Sequence, residues 1–184
     1  MKDLAKSYNQ ESFLIQVISL EKKIETLHIT RSGEGAADRL TEEANDVNRQ
    51  RNEITTLSNL ALQLYQWYVK HGHARNIKDE KGVREFFKQN LQIDTTNLTG
   101  FYQMLYLYQS YCWYAFIRQD FLMYYRYSKK WVDLFNQEPL MITVETGHYI
   151  KGLHNLLTAN FDLRNFRKFD KYIARFERFI LSKP

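Results

Sequence analysis

Residues that break helices are scarce in this chain, which has two prolines and seven glycines among 184 residues. Valine and threonine form no alternating runs, so the sequence gives no positive signal for β-strands. These two absences together predict an all-α fold. The length is sufficient for one domain with a substantial hydrophobic core.

Three further absences limit the class of protein. The chain has one cysteine, Cys112, so it cannot form an internal disulfide, and the aromatic surroundings of Cys112 favour a buried hydrophobic role over a nucleophilic one. No apolar run approaches the roughly 18 residues that suggest a membrane span. The first residues, MKDLAKSYNQES, lack the apolar segment of a signal peptide. We therefore expect a cytoplasmic protein without a membrane span.

Aromatic residues are abundant and make up 15% of the chain. They are densest in residues 101–135, where apolar positions recur at helical spacing, stop at Arg118-Gln119-Asp120 and then resume. This pattern predicts a helix, a tight polar turn and a second helix. Apolar residues occur nearly all round the first of these helices, so we expect neighbours to enclose it.

The same periodicity predicts about seven helices in the whole chain. Residues 1–9 are expected to be a frayed start, and residues 30–37 a mobile loop. The first predicted helix spans 10–29. The second is long, is capped by Asp38 or Thr41 and ends near His71-Gly72, and the third is a short helix around 83–91. The remaining predicted helices span 101–117, 121–137 and about 141–160, and the last begins at 166. Residues 94–97, Asp-Thr-Thr-Asn, are expected to supply caps for the fourth.

An internal repeat is visible at an offset of about 45 residues between the last two helical pairs. Residues of similar type then coincide through both helices and the turn. The clearest pairs are Phe121 with Phe166, Trp131 with Phe176, Leu105 with Ile150 and Tyr111 with Leu156. Two similar helical hairpins in succession are the unit of a solenoid.

From about residue 41 to 182, and most clearly over 101–182, the chain resembles the tetratricopeptide-repeat (TPR) family and its degenerate relatives. The resemblance rests on the paired helices, on Phe121 and Phe166 just after each turn, and on Pro139 at the end of a unit. It implies a superhelix whose first helices line a concave surface that binds peptides or partner proteins, without catalysis.

The predicted fold is therefore all-α, with antiparallel helical hairpins stacked as a TPR-like right-handed solenoid. We expect a single domain, 1–184, in which a leading helix and flexible loop (1–36) precede three hairpins (37–184). A chain that opens on half a hairpin is expected of a segment of a longer array. If the aromatic faces at either end are incompletely covered, we also expect homo-oligomers.

The preferred functional hypothesis is a non-catalytic scaffold that binds a peptide or partner protein in a groove. Equivalent positions of successive first-of-pair helices lie side by side in a solenoid, so their polar or aromatic residues outside the core stripe should line that groove. The predicted groove residues are Gln103, Tyr106, Ser110, Trp113, Arg118, Lys151, Asn155 and Thr158. For Tyr106 and Trp113, packing against neighbouring helices is an equally open alternative.

The alternative hypothesis is a basic helical nucleic-acid-binding protein. Residues 1–117 hold 14 Lys or Arg and 14 Asp or Glu, whereas residues 118–184 hold 12 and 7, so the net charge of +5 lies in the last third. Five cations at three- and four-residue spacing form a basic ridge on the last helix: Arg164, Lys168, Lys171, Arg175 and Arg178. A solvated face and a site for an acidic protein are the other interpretations of this ridge.

No enzyme or cofactor site is predicted. Glu145 and His148 have the i, i+3 spacing of bundle metal ligands, but a two-metal site needs a second such pair, which the sequence lacks. There is no glycine-rich phosphate loop, and one cysteine with scattered histidines indicates no nucleophile–base pair.

Overall fold

The structure is a computed structural model that describes residues 1–28 and 35–181, and in these ranges the chain is helical without any β-strand. Nine helices occur there, two more than expected from the sequence. They are α1 (Lys2–Ser7), α2 (Glu11–His28), α3 (Ala36–His71), α4 (Ile77–Asn90), α5 (Phe101–Ile117), α6 (Phe121–Gln137), α7 (Leu140–Val144), α8 (Thr146–Asp162) and α9 (Phe166–Leu181). Residues 30–34 of the predicted loop lie outside the described ranges.

The chain divides into two compact units, Met1–Thr55 and Thr56–Pro184, and the division falls inside α3 rather than at the predicted loop. The first unit has a small core of Ala5, Leu14, Ile18, Ala44 and Val47. Four of these five side chains come from α2 and α3, and two of the five are alanines. This core therefore buries much less apolar area for each residue than a core of large side chains would.

The expectation of a frayed N-terminus is wrong, because α1 is helical. Its Lys2 ammonium lies 2.6 Å from Glu43 Oε2, and Lys6 lies 3.0 Å from Glu43 Oε1. The hydrogen bond from Lys2 holds the pKa of the Glu43 carboxyl below its usual range. This partner is about 40 positions along the chain, so local sequence patterns could not reveal the stabilisation.

The second unit is organised around α5, as the sequence predicted. Its residues enter all three hydrophobic clusters of the unit: Leu105 lies in one, Tyr114 in another and Leu107 in the third. A helix with buried side chains on several faces must have neighbours on several sides. Helices α5 and α8 both pack against α6, and α9 packs against α8.

Two of the predicted helices, 101–117 and 121–137, have the same bounds as α5 and α6. The side chain of Asp120 caps α6 by accepting a hydrogen bond from the Met123 N–H at 3.0 Å. Gly72 ends α3 with φ +74°, the left-handed conformation expected of a glycine after a helix.

Two local predictions need correction. Residues 94–97 do not cap α5: Asp94 accepts from the Thr96 N–H within the preceding loop, and Gln103 instead accepts from the Gly100 N–H at 2.7 Å. The predicted sixth helix is broken at Glu145 (φ −117°, ψ 44°) into α7 and α8. None of the described helices combines the length and apolarity needed to cross a membrane.

Candidate functional site

A cleft lies between α5 and α8, the first helices of the last two pairs. At one end Tyr102 Oη donates to Glu145 Oε1 at 2.8 Å. Further along, the rings of Tyr106 and His148 meet edge to face with centroids 5.9 Å apart. From the first of these contacts to the second, the residue numbers increase on both helices, so α5 and α8 run in the same direction. We call this feature the α5–α8 cleft.

Helix α6 forms the floor of the α5–α8 cleft. A cavity of about 180 Å³ opens between the three helices. Trp113 and Phe116 of α5, Tyr124 and Trp131 of α6, and Asn155 and Thr158 of α8 are among its lining residues. A second cavity of about 320 Å³ shares Phe116, Tyr124 and Thr158 and continues towards Asp162. The two cavities are neighbours, because Phe116, Tyr124 and Thr158 line both, and each combines aromatic walls with polar groups of α8.

Five of the eight predicted groove residues lie along this cleft. Trp113, Asn155 and Thr158 line the smaller cavity, Tyr106 contacts His148, and the Lys151 ammonium lies 5.9 Å from the centre of the Trp113 ring. All five are at least partly accessible to solvent. The structure therefore brings these five side chains together along one cleft.

Gln103 and Ser110 are buried, with 3% and 0% of their surface exposed, so neither side chain contributes to an open groove. Gln103 closes the capping interaction with Gly100, and Ser110 Oγ donates to the Tyr106 carbonyl at 2.8 Å. Because α5 is enclosed on several faces, polar residues outside its apolar stripe still face other helices.

Arg118 lies at the end of α5 and binds α4. Its Nη2 donates to Glu80 Oε1 at 2.7 Å, and its guanidinium lies 5.0 Å from the centre of the Tyr114 ring. The hydrogen bond from Arg118 lowers the pKa of the Glu80 carboxyl below its usual value. The side chain thus has an internal role, which depends on a partner 38 residues earlier in the chain and so leaves no local sequence signal.

Tyr124 and Trp131 form the floor of the cleft and are both buried, which confirms their assignment to the apolar stripe of the fifth predicted helix. The Trp131 side chain is fully buried, and its Nε1–H has no hydrogen-bond acceptor among the described residues. Burial raises the pKa of the Tyr124 hydroxyl. A polar tip on a stripe of buried aromatics is the sequence signal that could have marked these residues.

Cys112 also lines the smaller cavity, but its chemistry is that of a buried thiol. Burial raises the pKa of Cys112 to about 12, and a weak hydrogen bond with Ser128 offsets part of this increase. A thiol is nucleophilic only as its thiolate. Cys112 is therefore unreactive in the folded chain at neutral pH.

The Glu145–His148 pair is occupied by protein contacts. Nδ1 of His148 lies 2.8 Å from Glu145 Oε2, while Tyr102 binds the other carboxylate oxygen. Within residues 1–28 and 35–181, no group of three or more His, Cys, Asp or Glu side chains could hold a metal ion.

The basic ridge follows α9, which packs against α8. Lys168 Nζ donates to Tyr125 Oη at 3.0 Å, and Arg175 Nη2 donates to Tyr149 Oη at 2.7 Å. Arg178 Nε donates to the Ala174 carbonyl, while Arg164 and Lys171 are exposed. The ridge cations are thus partly fixed by tyrosine hydroxyls and a backbone carbonyl.

Compared with known proteins, the chain matches no family model, no curated protein and no solved structure.

Proposed function

We propose that this chain is a non-catalytic protein-interaction scaffold that binds a peptide or partner protein in the α5–α8 cleft. In this proposal the helical pairs α5–α6 and α8–α9 are successive repeats of a right-handed, TPR-like solenoid. The observation that carries the functional proposal is the aromatic-walled cleft between the two first-of-pair helices.

Contacts at a constant chain separation support the repeat. Tyr102 of α5 binds Glu145 beside α8, and Tyr125 of α6 binds Lys168 of α9; both pairs are 43 residues apart. Each of the two hydrogen bonds therefore joins a helix of one pair to a residue in or just before the corresponding helix of the next pair, at the same separation. Stacked repeats have this property, because each repeat contacts its neighbour in the same way.

The chemistry of the cleft supports a protein ligand. Trp113 packs against Tyr65 and Tyr68 of α3 and remains partly exposed, and tryptophan is enriched among residues that dominate binding energy. Lys151, Asn155 and Thr158 add a cation, a carboxamide and a hydroxyl along the α8 wall. An apolar cleft with a few polar groups is typical of peptide-binding and ligand-binding sites.

The alternative, a basic helical nucleic-acid-binding protein, is favoured by one observation. None of the five ridge cations forms an ion pair with a carboxylate in the described part of the chain. Phosphate contacts made by such cations release counterions, so binding of this kind weakens steeply as salt is added. Salt dependence therefore separates the two functions.

The test is affinity capture from native cell extract at low and high salt with three forms of the chain. The cleft variant carries Lys151→Glu and Asn155→Glu. The control carries Lys88→Glu and Gln89→Glu on the exposed surface of α4, so it makes the same change in charge outside the cleft. Circular dichroism checks that all three forms are folded.

The scaffold proposal expects a protein that wild type and the α4 control retain at high salt and that the cleft variant loses. Equal retention by all three forms would contradict binding in the cleft. Nucleic acid that is released by salt, and that all three forms bind equally, would instead favour the basic ridge of α9.

A further inference from the structure

The larger cavity of the α5–α8 cleft contains a carboxylate that has no cationic partner. Asp162 is the last residue of α8 and lines this cavity of about 320 Å³. It forms no ion pair within the described part of the chain. The dipole of a helix also disfavours a negative charge in the last turn. Neither effect stabilises this carboxylate, so a cationic ligand is the partner that its position lacks.

The other ionisable groups that line the cavity add no positive charge when histidine is neutral. They are His73 and Tyr124, and no lysine or arginine of the described residues lines the cavity. Nδ1 of His73 lies 2.9 Å from the Phe116 carbonyl oxygen, which can only accept, so Nε2 of the neutral imidazole carries the lone pair. Burial, with smaller contributions from Cys112 and Asp162, raises the pKa of the Tyr124 hydroxyl, which is therefore neutral.

Charged residues that are close in sequence do not neutralise Asp162. Arg118 forms ion pairs with Glu80 at 2.7 Å and with Asp120 at 3.9 Å. Arg164 follows Asp162 by two positions, but its side chain is exposed and forms no ion pair with that carboxylate in the described structure. Because the Asp162 side chain is itself exposed, a ligand can reach its charge.

Phe121 supplies an accessible aromatic ring to the same cavity. It is the first residue of α6, it lines the cavity, and 45% of its surface is exposed. Phe116 and Tyr124 add two further rings, whose centroids lie 5.5 Å apart. Cations are attracted to aromatic rings. A guanidinium is planar and more weakly hydrated than an ammonium, so it is the better cation for stacking.

The remaining polar groups of the cavity suit a ligand with many hydrogen-bond donors. Gln119 lines the cavity with an exposed side chain, whose carboxamide oxygen can accept. Thr158 Oγ1 donates its proton to the His154 carbonyl at 3.1 Å, so towards a ligand it can only accept. A guanidinium has five N–H donors and an ammonium has three. Together with the carboxylate of Asp162, these oxygens therefore match a guanidinium.

We propose that this cavity binds the guanidinium of an arginine side chain, with Asp162 as its counter-ion and Phe121 as its stacking surface. The proposal deepens the scaffold function and rests on it for the source of the arginine, which is the bound partner. The cavity itself can be tested without any partner.

The test compares N-acetyl-argininamide with N-acetyl-citrullinamide, which has nearly the same shape but an uncharged urea group. Both are titrated at pH 8, where histidine side chains are mostly neutral, and the backbone ¹⁵N–¹H signals of Gln119, Phe121 and Asp162 are followed. We expect the arginine compound to shift these signals in a saturable way, with a Kd about fivefold below that of the citrulline compound. Equal affinities, or signals that neither compound moves, would overturn the proposal.

N-acetyl-lysinamide separates the guanidinium from other cations. It should bind more weakly than the arginine compound, because an ammonium has fewer donors and stacks less well. Lysine binding that is as tight as arginine binding would overturn the assignment of the site to a guanidinium.

Asp162→Asn keeps the shape of the side chain and removes its charge, so the preference for arginine over citrulline should disappear. The side chain is exposed at the end of α8, so this variant is expected to fold like wild type. Asp170→Asn makes the same change on the exposed surface of α9 and should retain the preference. A preference that survives in Asp162→Asn, or that both variants lose, would contradict the role of Asp162.

Phe121→Leu tests the stacking surface in the same titration. Loss of the ring should raise the Kd of the arginine compound about threefold and change that of the citrulline compound less. Unchanged binding of the arginine compound would mean that Phe121 is not the stacking surface.

These titrations and the affinity capture can fail independently. If the arginine compound does not bind while the Lys151→Glu and Asn155→Glu cleft variant still loses its partner, the guanidinium site is wrong and the scaffold stands. If the arginine compound binds while the cleft variant loses no partner, the site stands and a partner bound in the cleft is rejected as the source of the arginine.

Discussion

Gly152 shows how one missing side chain shapes the floor of the cleft. A Cβ there would meet the rigid, fully buried Trp131 ring at 3.0 Å, so Gly152→Ala must displace that ring by a few tenths of an ångström. We expect a net loss of about 1–2 kcal/mol in the free energy of unfolding, since overpacking outweighs the better helix propensity of alanine.

Gly147 is the matched control, because it lies in the same helix and a Cβ added there would meet no atom within 4 Å. Gly147→Ala should stabilise the chain by up to about 1 kcal/mol. Urea denaturation of both variants measures the difference. Equal effects at the two positions would show that Trp131 does not restrict position 152.

Cys112 gives the chain a dependence on alkaline pH. Its pKa is raised from 9.0 to about 12 in the folded state, so above pH 9 the unfolded chain loses this proton while the folded chain keeps it. The free energy of unfolding should therefore fall by about 1.4 kcal/mol per pH unit between pH 9 and 12 from this group.

The measurement is urea denaturation at pH 8, 9.5 and 10.5 under reducing conditions, for wild type and Cys112→Ala. The variant should lose less stability with rising pH than wild type does. Since the tyrosines titrate in both forms, parallel pH profiles would mean that the thiol does not carry the difference.

At the scale of helices, the sequence predicted well where the signals are local. The bounds of α5 and α6 follow from dense aromatic periodicity, a polar turn with the Asp120 cap and a stop before Pro139. The break at Glu145 has no proline or glycine at that position, and α1 depends on ion pairs to the distant Glu43. Tertiary contacts decide these features, so periodicity could not show them.

The prediction of the cleft divides in the same way. The positions of Trp113, Asn155 and Thr158 beside the cleft follow from helical phase, which a sequence displays directly. Gln103 and Ser110 share that phase but face other helices, because the degree of enclosure around α5 is a property of the packed unit. Trp131 was assigned to the core, and only its unpaired N–H distinguishes it from the other core aromatics.

The contact between α4 and the end of α5 should make the second unit sensitive to acid. The hydrogen bond from Arg118 holds the pKa of Glu80 below its usual 4.5, so this contribution to stability is present above pH 4.5 and is lost as pH falls through the lowered pKa. Glu80→Gln should reduce the loss of stability between pH 5 and pH 3.

Hydrogen exchange of α4 at the two pH values provides a local measurement for this prediction. Wild type should protect α4 less at pH 3 than at pH 5 after correction for intrinsic exchange, whereas Glu80→Gln should show a smaller difference. Asp79→Gln is not a suitable control because Asp79 binds the α4 cap; Glu85→Gln, on the exposed side of α4, is the matched one.

For the molecule as a whole, the two compact units should differ in local stability. The first unit has a five-residue core without aromatics, and α2 exposes Leu20, Ile24 and Leu27. The second unit has three clusters, two of which bury large aromatic side chains while the third buries three leucines. We expect native-state hydrogen exchange to show lower opening free energies for residues 1–55 than for α5, α6 and α8.

Because the two units are expected to open independently, a variant in the core of one unit provides the control for the other. Ile18→Ala should accelerate exchange in the first unit and leave the α5 amides unchanged. A uniform opening free energy across both units would instead mean that the chain opens only as a whole.

The position of α5 in all three clusters also bears on the order of events when the chain folds. None of the clusters of the second unit can be completed until α5 has docked, because each lacks a wall without it. Side-chain truncations at Leu105 and Leu107 should therefore slow refolding in nearly full proportion to the stability that they remove. Side-chain truncations in α9, which has no buried residue, should instead mainly accelerate unfolding. The stretch with the densest aromatic sequence is thus expected to be the kinetic nucleus of this unit.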